Sequence, residues 1–231
     1  MAQPQNHQEL PELIAHLGQF VQESRRQRIQ TVLQQRTRYI TVVLEDISKP
    51  HNASACLRSC DSFGVQDVHL IENRNSLDLN REVSVGSDRW LTLYRYDQPQ
   101  ANNTQICLEQ LKAQGYQIVA TTPHANEITI AQVPVQQKLA LMFGTELYGL
   151  SEFAQSQADH LVQIPMFGFS ESFNISVSVA ICLYEVTKRL RASTINWRLS
   201  ELEVQEVQLS WLRQSIRGGE LAEQRFLAQP D

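Results

Sequence analysis

Residues 164–185 read IPMFGFSESFNISVSVAICLYE, and this stretch decides how the rest of the chain is read. Ser172, Asn174, Ser176 and Ser178 alternate with Phe173, Ile175, Val177 and Val179, as they would along a half-buried strand. Tyr184, Glu185, Lys188, Arg189 and Arg191 then follow in a pattern that only a helix accommodates. Taking Ser172 as the N-cap reconciles the two halves. The chain before it is then a Gly-bearing loop after a short strand, with free backbone N–H groups directed at whatever occupies that place.

Working outward, short apolar runs recur with helical segments between them: ITVVLEDI (40–47), VHLIE (68–72), LTLYRY (91–96), YQIVATT (116–122), KLALMFG (138–144) and HLVQIPM (160–166). The intervening helices are expected over 52–63, ending near Gly64, over 104–114, ending at Gly115, and over 151–157. Strands alternating with helices predict an α/β fold, a mostly parallel sheet with helices on both faces. Both flanks read as helical arms. Leu10, Leu13, Ile14, Leu17, Phe20 and Val21 fall at helical spacing, and Ile29–Leu33 starts a second short helix. At the other end Leu202, Val204, Val207, Leu209, Trp211, Leu212 and Ile216 lie mostly on one side of a helix. The expected division is a basic N-terminal arm over 1–37, a core domain over 38–192 and a helical extension over 193–231.

A chain of 231 residues with 42% apolar side chains can fill one core of ordinary size. Its apolar runs are far shorter than the roughly 18 residues a bilayer span needs, and MAQPQNHQEL has neither a basic n-region nor an apolar h-region. Cys56, Cys60, Cys107 and Cys182 sit within apolar or helical patterns, as reduced structural thiols do. A cytoplasmic protein without a metal centre or membrane contact is expected. The formal charge of −5 argues against a polyanionic partner, but its distribution is uneven. Arg25, Arg26, Arg28, Arg36 and Arg38 crowd one stretch, either as a solvated helix face or as a phosphate-binding arm.

Ligands of open parallel sheets bind beyond the carboxyl ends of the strands, so the loops there carry the functional signal. After the first strand comes EDISKPHNASACLRSCDSFGV (45–65), with Asn52 placed as an N-cap and Arg58 six residues on; after the fifth comes FGTELYGLSEF (143–153), with Gly144 and Gly149 bracketing Glu146; after the sixth comes the opening stretch. Taken singly, these read as caps, turns and a surface arginine. No GxGxxG or GxxxxGK[ST] is present, so neither a dinucleotide site nor a P-loop is supported.

Taken in order, HNASACLRSCDSFGV, FGTELYGLS and IPMFGFSESFNISVSVA resemble the three motifs of the SPOUT RNA 2′-O-ribose methyltransferases, SpoU branch, over most of residues 38–190. The resemblance implies a C-terminal trefoil knot, S-adenosylmethionine as cofactor and a homodimer. It implies that Arg58 meets the ribose hydroxyl with Asn52 orienting it, and that Glu146, Ser172 and Asn174 shape the pocket. Thr121, Gly144, Ile164 and Phe173 are expected to line the adenosine and methionine parts. The chain departs from the family wording at Glu171 and at Phe173, where a leucine is common.

A guanidinium is almost always protonated, so Arg58 is read as gripping the hydroxyl and its neighbouring phosphate rather than as a simple base. Ribosomal-RNA members of that family commonly carry a separate RNA-binding domain before the knot, and fewer than 40 residues precede the first strand here, so the resemblance implies tRNA as the substrate. Arms on both sides are the arrangement of the members that methylate guanosine 18 of the tRNA D-loop, which is the expected reaction, with Arg25, Arg26, Arg28 and Arg36 touching the RNA. Ribose methylation of ribosomal RNA or of another tRNA position, and a non-catalytic knotted RNA-binding protein, are the alternatives.

Overall fold

Every residue of Ile40–Glu45 (β1) is buried, which requires a strand paired on both edges and covered on both faces. The computed structural model describes residues 9–77, 86–123 and 128–228, and it shows that environment. Two compact units are present: residues 37–197 form one, and the described residues up to Arg36 together with those from Arg198 form the other.

In the larger unit β1 is followed by a helix Pro50–Phe63, strands β2 (Asp67–Ile71) and β3 (Thr92–Tyr96), a helix Asn103–Ala113, and strands β4 (Tyr116–Thr121), β5 (Ile128–Thr129) and β6 (Lys138–Phe143). A short helix Glu152–Ser156, strand β7 (His160–Gln163) and a long helix Ile175–Ala192 complete it. Counting the N-terminal helices α1 (Glu9–Gly18) and α2 (Glu23–Leu33) first, these four are α3, α4, α5 and α6. The sheet order is β3-β2-β1-β6-β4-β7-β5, and every pairing is parallel, with Val42 opposite Val68 and Leu44 opposite Phe143. Strand order therefore runs in opposite directions from the β1/β6 pair. The loops leaving β1 and β6 diverge there, which is where open α/β sheets build their sites.

Helices cover both faces. On one, Leu57 of α3 and Val179 and Leu183 of α6 pack with Ile40, Val42 and Leu44; on the other, Leu108 and Leu111 of α4 and Ala154 of α5 pack with Val43, Ile118 and Met142. Burial pushes the Cys56, Cys107 and Cys182 thiols up to about 12, so they are inert core residues. His69 is also a core residue: its Nδ1 lies 3.0 Å from the Tyr96 hydroxyl, its ring stacks on Tyr94, and burial lowers its pKa to about 4.

Three expectations need correction, and one strand has no counterpart among them. The edge strand β5 is too short to carry any periodicity. Helix α3 starts at Pro50 with Lys49 as N-cap, so Asn52 lies inside its first turn; proline's fixed φ favours the first helical position. Helix α6 is capped by Asn174, whose Oδ1 accepts from Ser176 N, and Ser172 lies in the loop before it. Strand β7 ends at Gln163, leaving Ile164 beyond it.

The smaller unit is built from both ends of the chain. Helices α1 and α2 pack with α7 (Glu201–Ser215) and α8 (Gly219–Leu227), burying Leu13, Leu17, Ile29, Leu33, Val207, Trp211 and Leu212. Helix α7 opens with a capping box between Ser200 and Glu203. The two flanks thus share one core instead of standing as separate arms. Phe20 points outward, 58% exposed, and does not join it. Arg36 does the opposite: it is only 1% exposed, with its guanidinium 5.1 Å from the centre of the Trp211 ring. No helix among the described residues is long and apolar enough to cross a membrane.

Candidate functional site

Where β1 ends, the chain turns sharply at Asp46, whose φ of 55° is left-handed. Its Oδ1 accepts from the backbone N–H groups of Asn73 (2.7 Å) and Arg74 (2.8 Å), which offsets the cost of that conformation. The preceding residue, Glu45, is buried. It accepts from Thr104 Oγ1 (2.6 Å), Ser151 Oγ (2.8 Å) and Ser151 N (2.8 Å), and so pins the start of α5 and the end of the β6–α5 loop to the sheet.

That loop, Gly144–Leu150, closes on itself. Thr145 N donates to Gly149 O (3.0 Å) and Gly149 N to Thr145 O (2.9 Å). A Cβ at Gly144 would lie 2.1 Å from Gly149 O, so no other residue fits there without opening the loop. Gly149 has a φ of +66°, the left-handed region that favours glycine.

A cavity of about 370 Å³ opens beside this loop, walled by the chain leaving β4 (Thr121, Thr122), by the β6–α5 loop and by the β7–α6 loop. Thr121, Gly144, Ile164 and Phe173 all line it, as do Glu146 and Ser172. Its charged lining consists of Glu146 and Glu171; no basic side chain is among the described residues that wall it. Apolar surface comes from Leu150, Val162, Ile164 and Met166.

At the edge of this cavity lies a polar network that joins three loops. Asn174 Nδ2 donates to Glu146 Oε1 (2.6 Å) and to Asn52 Oδ1 (3.2 Å), while its Oδ1 also accepts from Ser176 Oγ (2.6 Å). Lys49 Nζ donates to the other Glu146 oxygen at 2.9 Å. The Lys49 hydrogen bond is the largest of the effects holding the Glu146 carboxyl below the usual range.

The structure thus brings together Asn52, Glu146, Asn174 and the cavity-lining Ser172. It does not bring Arg58 to the cavity wall. Arg58 is exposed on α3 and makes no hydrogen bond or ion pair among the described residues, and Asn52 bonds to Asn174 instead of orienting it. Of the arginines, Arg25 and Arg28 are exposed and Arg26 pairs with Glu23; Arg36 is buried and cannot reach a phosphate. Two site residues escape sequence reading. Lys49 is marked only by its place before Pro50, and Glu45 only as a carboxylate ending an apolar run.

Known proteins similar to this chain fall in one family. The model of the SpoU rRNA Methylase family matches residues 39–184. The tRNA (guanosine(18)-2′-O)-methyltransferase of Borreliella burgdorferi is 40% identical over 210 residues, 91% of this chain and 94% of that protein. The enzyme of that name from Thermus thermophilus is 36% identical over 193 residues, 83% of this chain and 97% of its own. Among solved structures, the A. aeolicus TrmH/SpoU tRNA modifying enzyme superposes with a TM-score of 0.74 at 29% identity, over 84% of this chain and 98% of that one. AviRb of Streptomyces viridochromogenes, a SpoU methyltransferase solved in complex with AdoMet, shares the fold at a TM-score of 0.60 and 23% identity, over 68% of this chain and 63% of that one. With a family model covering more than half of its length and relatives this similar from end to end, the chain belongs to the SpoU methylase family.

Proposed function

We propose that this protein transfers the methyl group of S-adenosylmethionine to the ribose 2′-hydroxyl of guanosine 18 in the D-loop of tRNA. The observation that carries this reading is the likeness over 91% of the chain to an enzyme named for that reaction. The cavity suits the cofactor: its glycine backbone and apolar side chains would receive the adenosine and methionine parts, and the charged lining, Glu146 and Glu171, suits a cation. When bound, S-adenosylmethionine supplies an electrophilic methyl on a positively charged sulfonium.

The remaining work falls to the protein. Thr121, Gly144, Ile164 and Phe173 would hold the cofactor's two ends. Asn52, Glu146, Ser172 and Asn174 form the side on which the ribose rests. The 2′-hydroxyl must lose its proton as its new C–O bond forms, and a positioned cation lowers the cost of the developing alkoxide. Arg58, exposed and free of competing partners among the described residues, grips the hydroxyl and the neighbouring phosphate with its planar fork. The proton passes to that phosphate while the guanidinium keeps its charge.

Residues 38–192 act as the methyltransferase domain, with the trefoil knot of the family formed where the β6–α5 and β7–α6 loops meet. The helices at both ends approach the tRNA, with exposed Arg25 and Arg28 toward its phosphates. The enzyme works in the cytoplasm as a homodimer, a reading supported by the exposed Val177 and Tyr184 on α6. Incubation with labelled S-adenosylmethionine and separate transcripts of tRNA and large ribosomal RNA tests the reading. Label on tRNA is the expected result, and label only on ribosomal RNA, or on neither, overturns it.

A further inference from the structure

We infer that Lys49, on the segment between β1 and α3, is a positioning residue for methyl transfer: it holds the Glu146 carboxylate so that its second oxygen can fix Asn174 and, through Asn174, Asn52. This inference rests on the reading above.

An amide side chain has two N–H donors and one acceptor oxygen. In Asn174 both donors are engaged, with Glu146 Oε1 at 2.6 Å and Asn52 Oδ1 at 3.2 Å. Its oxygen accepts from Ser176 N at 2.9 Å and Ser176 Oγ at 2.6 Å. The amide is therefore held on every side, and the start of α6 is fixed to two distant loops. Glu146 is the hub of the network: besides Asn174, its carboxylate also takes the Asn52 side chain and the Ile175 backbone N–H, all of them neutral donors. Lys49 supplies what that carboxylate lacks, a cation at 2.9 Å on the oxygen Asn174 does not use. One carboxylate thus joins the β1–α3 segment to the N-cap of α6.

Protonation of Glu146 would break the arrangement, because a carboxylic acid presents a donor where Asn174 N–H or Lys49 needs an acceptor. The groups that act on its charge are Lys49 before α3, Asn52 on α3 and the Ile175 backbone N–H at the start of α6; the neutral Cys56 thiol on α3 and Glu171, which lines the same cavity from the β7–α6 loop, are the other titratable groups facing it. Only Lys49 among these is cationic. Removing it makes Glu146 easier to protonate, and the loss appears as pH falls.

The test uses the full-length protein and three variants, Lys49→Met, Lys49→Arg and Glu146→Gln. Carboxyl-carbon NMR of protein labelled at glutamate, with Glu146→Gln identifying the resonance, follows Glu146 directly and needs no activity. In Lys49→Met it should titrate at higher pH than in the wild type, with Lys49→Arg restoring it. Methyl transfer should show a matching move of the acid limb of kcat to higher pH in Lys49→Met. The loss at neutral pH should be about fivefold, the size of an exposed ion pair. Combined with Glu146→Gln, the Lys49→Met change should cost almost nothing more. An unmoved Glu146 titration, or Lys49→Met losses that add in full to those of Glu146→Gln, overturns the inference. So does a change confined to the KM for RNA, which would make Lys49 a phosphate contact. A wild-type protein without transferase activity would refute the proposed function while leaving the NMR result to decide the role of Lys49.

Discussion

Replacing Gly144 by alanine adds one methyl group, and the structure says where it would go. The new Cβ would lie 2.1 Å from Gly149 O and 2.3 Å from Leu150 N, both backbone atoms that no side-chain rotation can move. Relief requires opening the loop, which breaks the Thr145–Gly149 pair of hydrogen bonds at 3.0 and 2.9 Å. At about 1 kcal/mol for each bond, with about 1–2 kcal/mol of residual overlap, the variant should be destabilised by about 3–4 kcal/mol. That corresponds to a Tm lowered by roughly 6–16 °C for a chain of this size. Because the same loop walls the cavity, about 2 kcal/mol of the cost should reappear as an approximately 30-fold weaker Kd for S-adenosylmethionine. Gly168 is the internal control: a Cβ there meets nothing within 4 Å, so Gly168→Ala should leave both quantities near wild type. Differential scanning calorimetry and isothermal titration calorimetry on the two variants are the assays. A Gly144→Ala protein with wild-type Tm and cofactor affinity would refute the steric reasoning.

Other outcomes follow from the same geometry. Arg58→Lys and Arg58→Ala should each lose methyl transfer by about 10²-fold or more while melting like the wild type, and a near-normal lysine enzyme in a single-turnover assay would remove the argument from the guanidinium fork. Arg25→Glu with Arg28→Glu should raise the Kd for tRNA and flatten its salt dependence without altering cofactor affinity, measured by filter binding over a salt series. Arg36→Ala should instead lower stability by about 2–4 kcal/mol, read by urea denaturation, because it empties a buried site against Trp211. His69 binds its proton less readily folded than unfolded, so stability is intact above the ordinary histidine pKa of about 6.5 and is lost as pH falls toward about 4, with roughly 3 kcal/mol at stake; His69→Gln should flatten that part of the urea midpoint–pH curve.

How much of this was legible in the sequence depends on the range of the interaction responsible. Strands β1, β2 and β6 announce themselves because both their faces are buried and their apolar runs are nearly unbroken. Thr121, Gly144, Ile164 and Phe173 line one cavity, a grouping that the resemblance to the family's motifs implied and that strand ends opening on the same side of a parallel sheet make possible. The cap of α6 could not. Ser172 and Asn174 are both suited to the role locally, and the choice falls to Asn174, whose amide is also held by Glu146 and by Asn52, 122 residues away. The arginine run misled for a similar reason. Arg25 and Arg36 read alike in the sequence, yet Arg36 is buried by Trp211, which arrives from the far end of the chain. Lys49 was overlooked because its meaning lies in a carboxylate 97 positions on.

The central claim is that the methyl goes to a ribose oxygen, and one measurement addresses it at the level of the atom. A tRNA transcript carrying guanosine 18 is methylated with S-adenosylmethionine, digested to nucleosides for mass spectrometry, and mapped by partial alkaline hydrolysis. A methylated 2′-hydroxyl cannot attack the adjoining phosphodiester. The expected result is 2′-O-methylguanosine as the sole new nucleoside and a single gap in the hydrolysis ladder after position 18. A methyl recovered on a base, with an unbroken ladder, would contradict it.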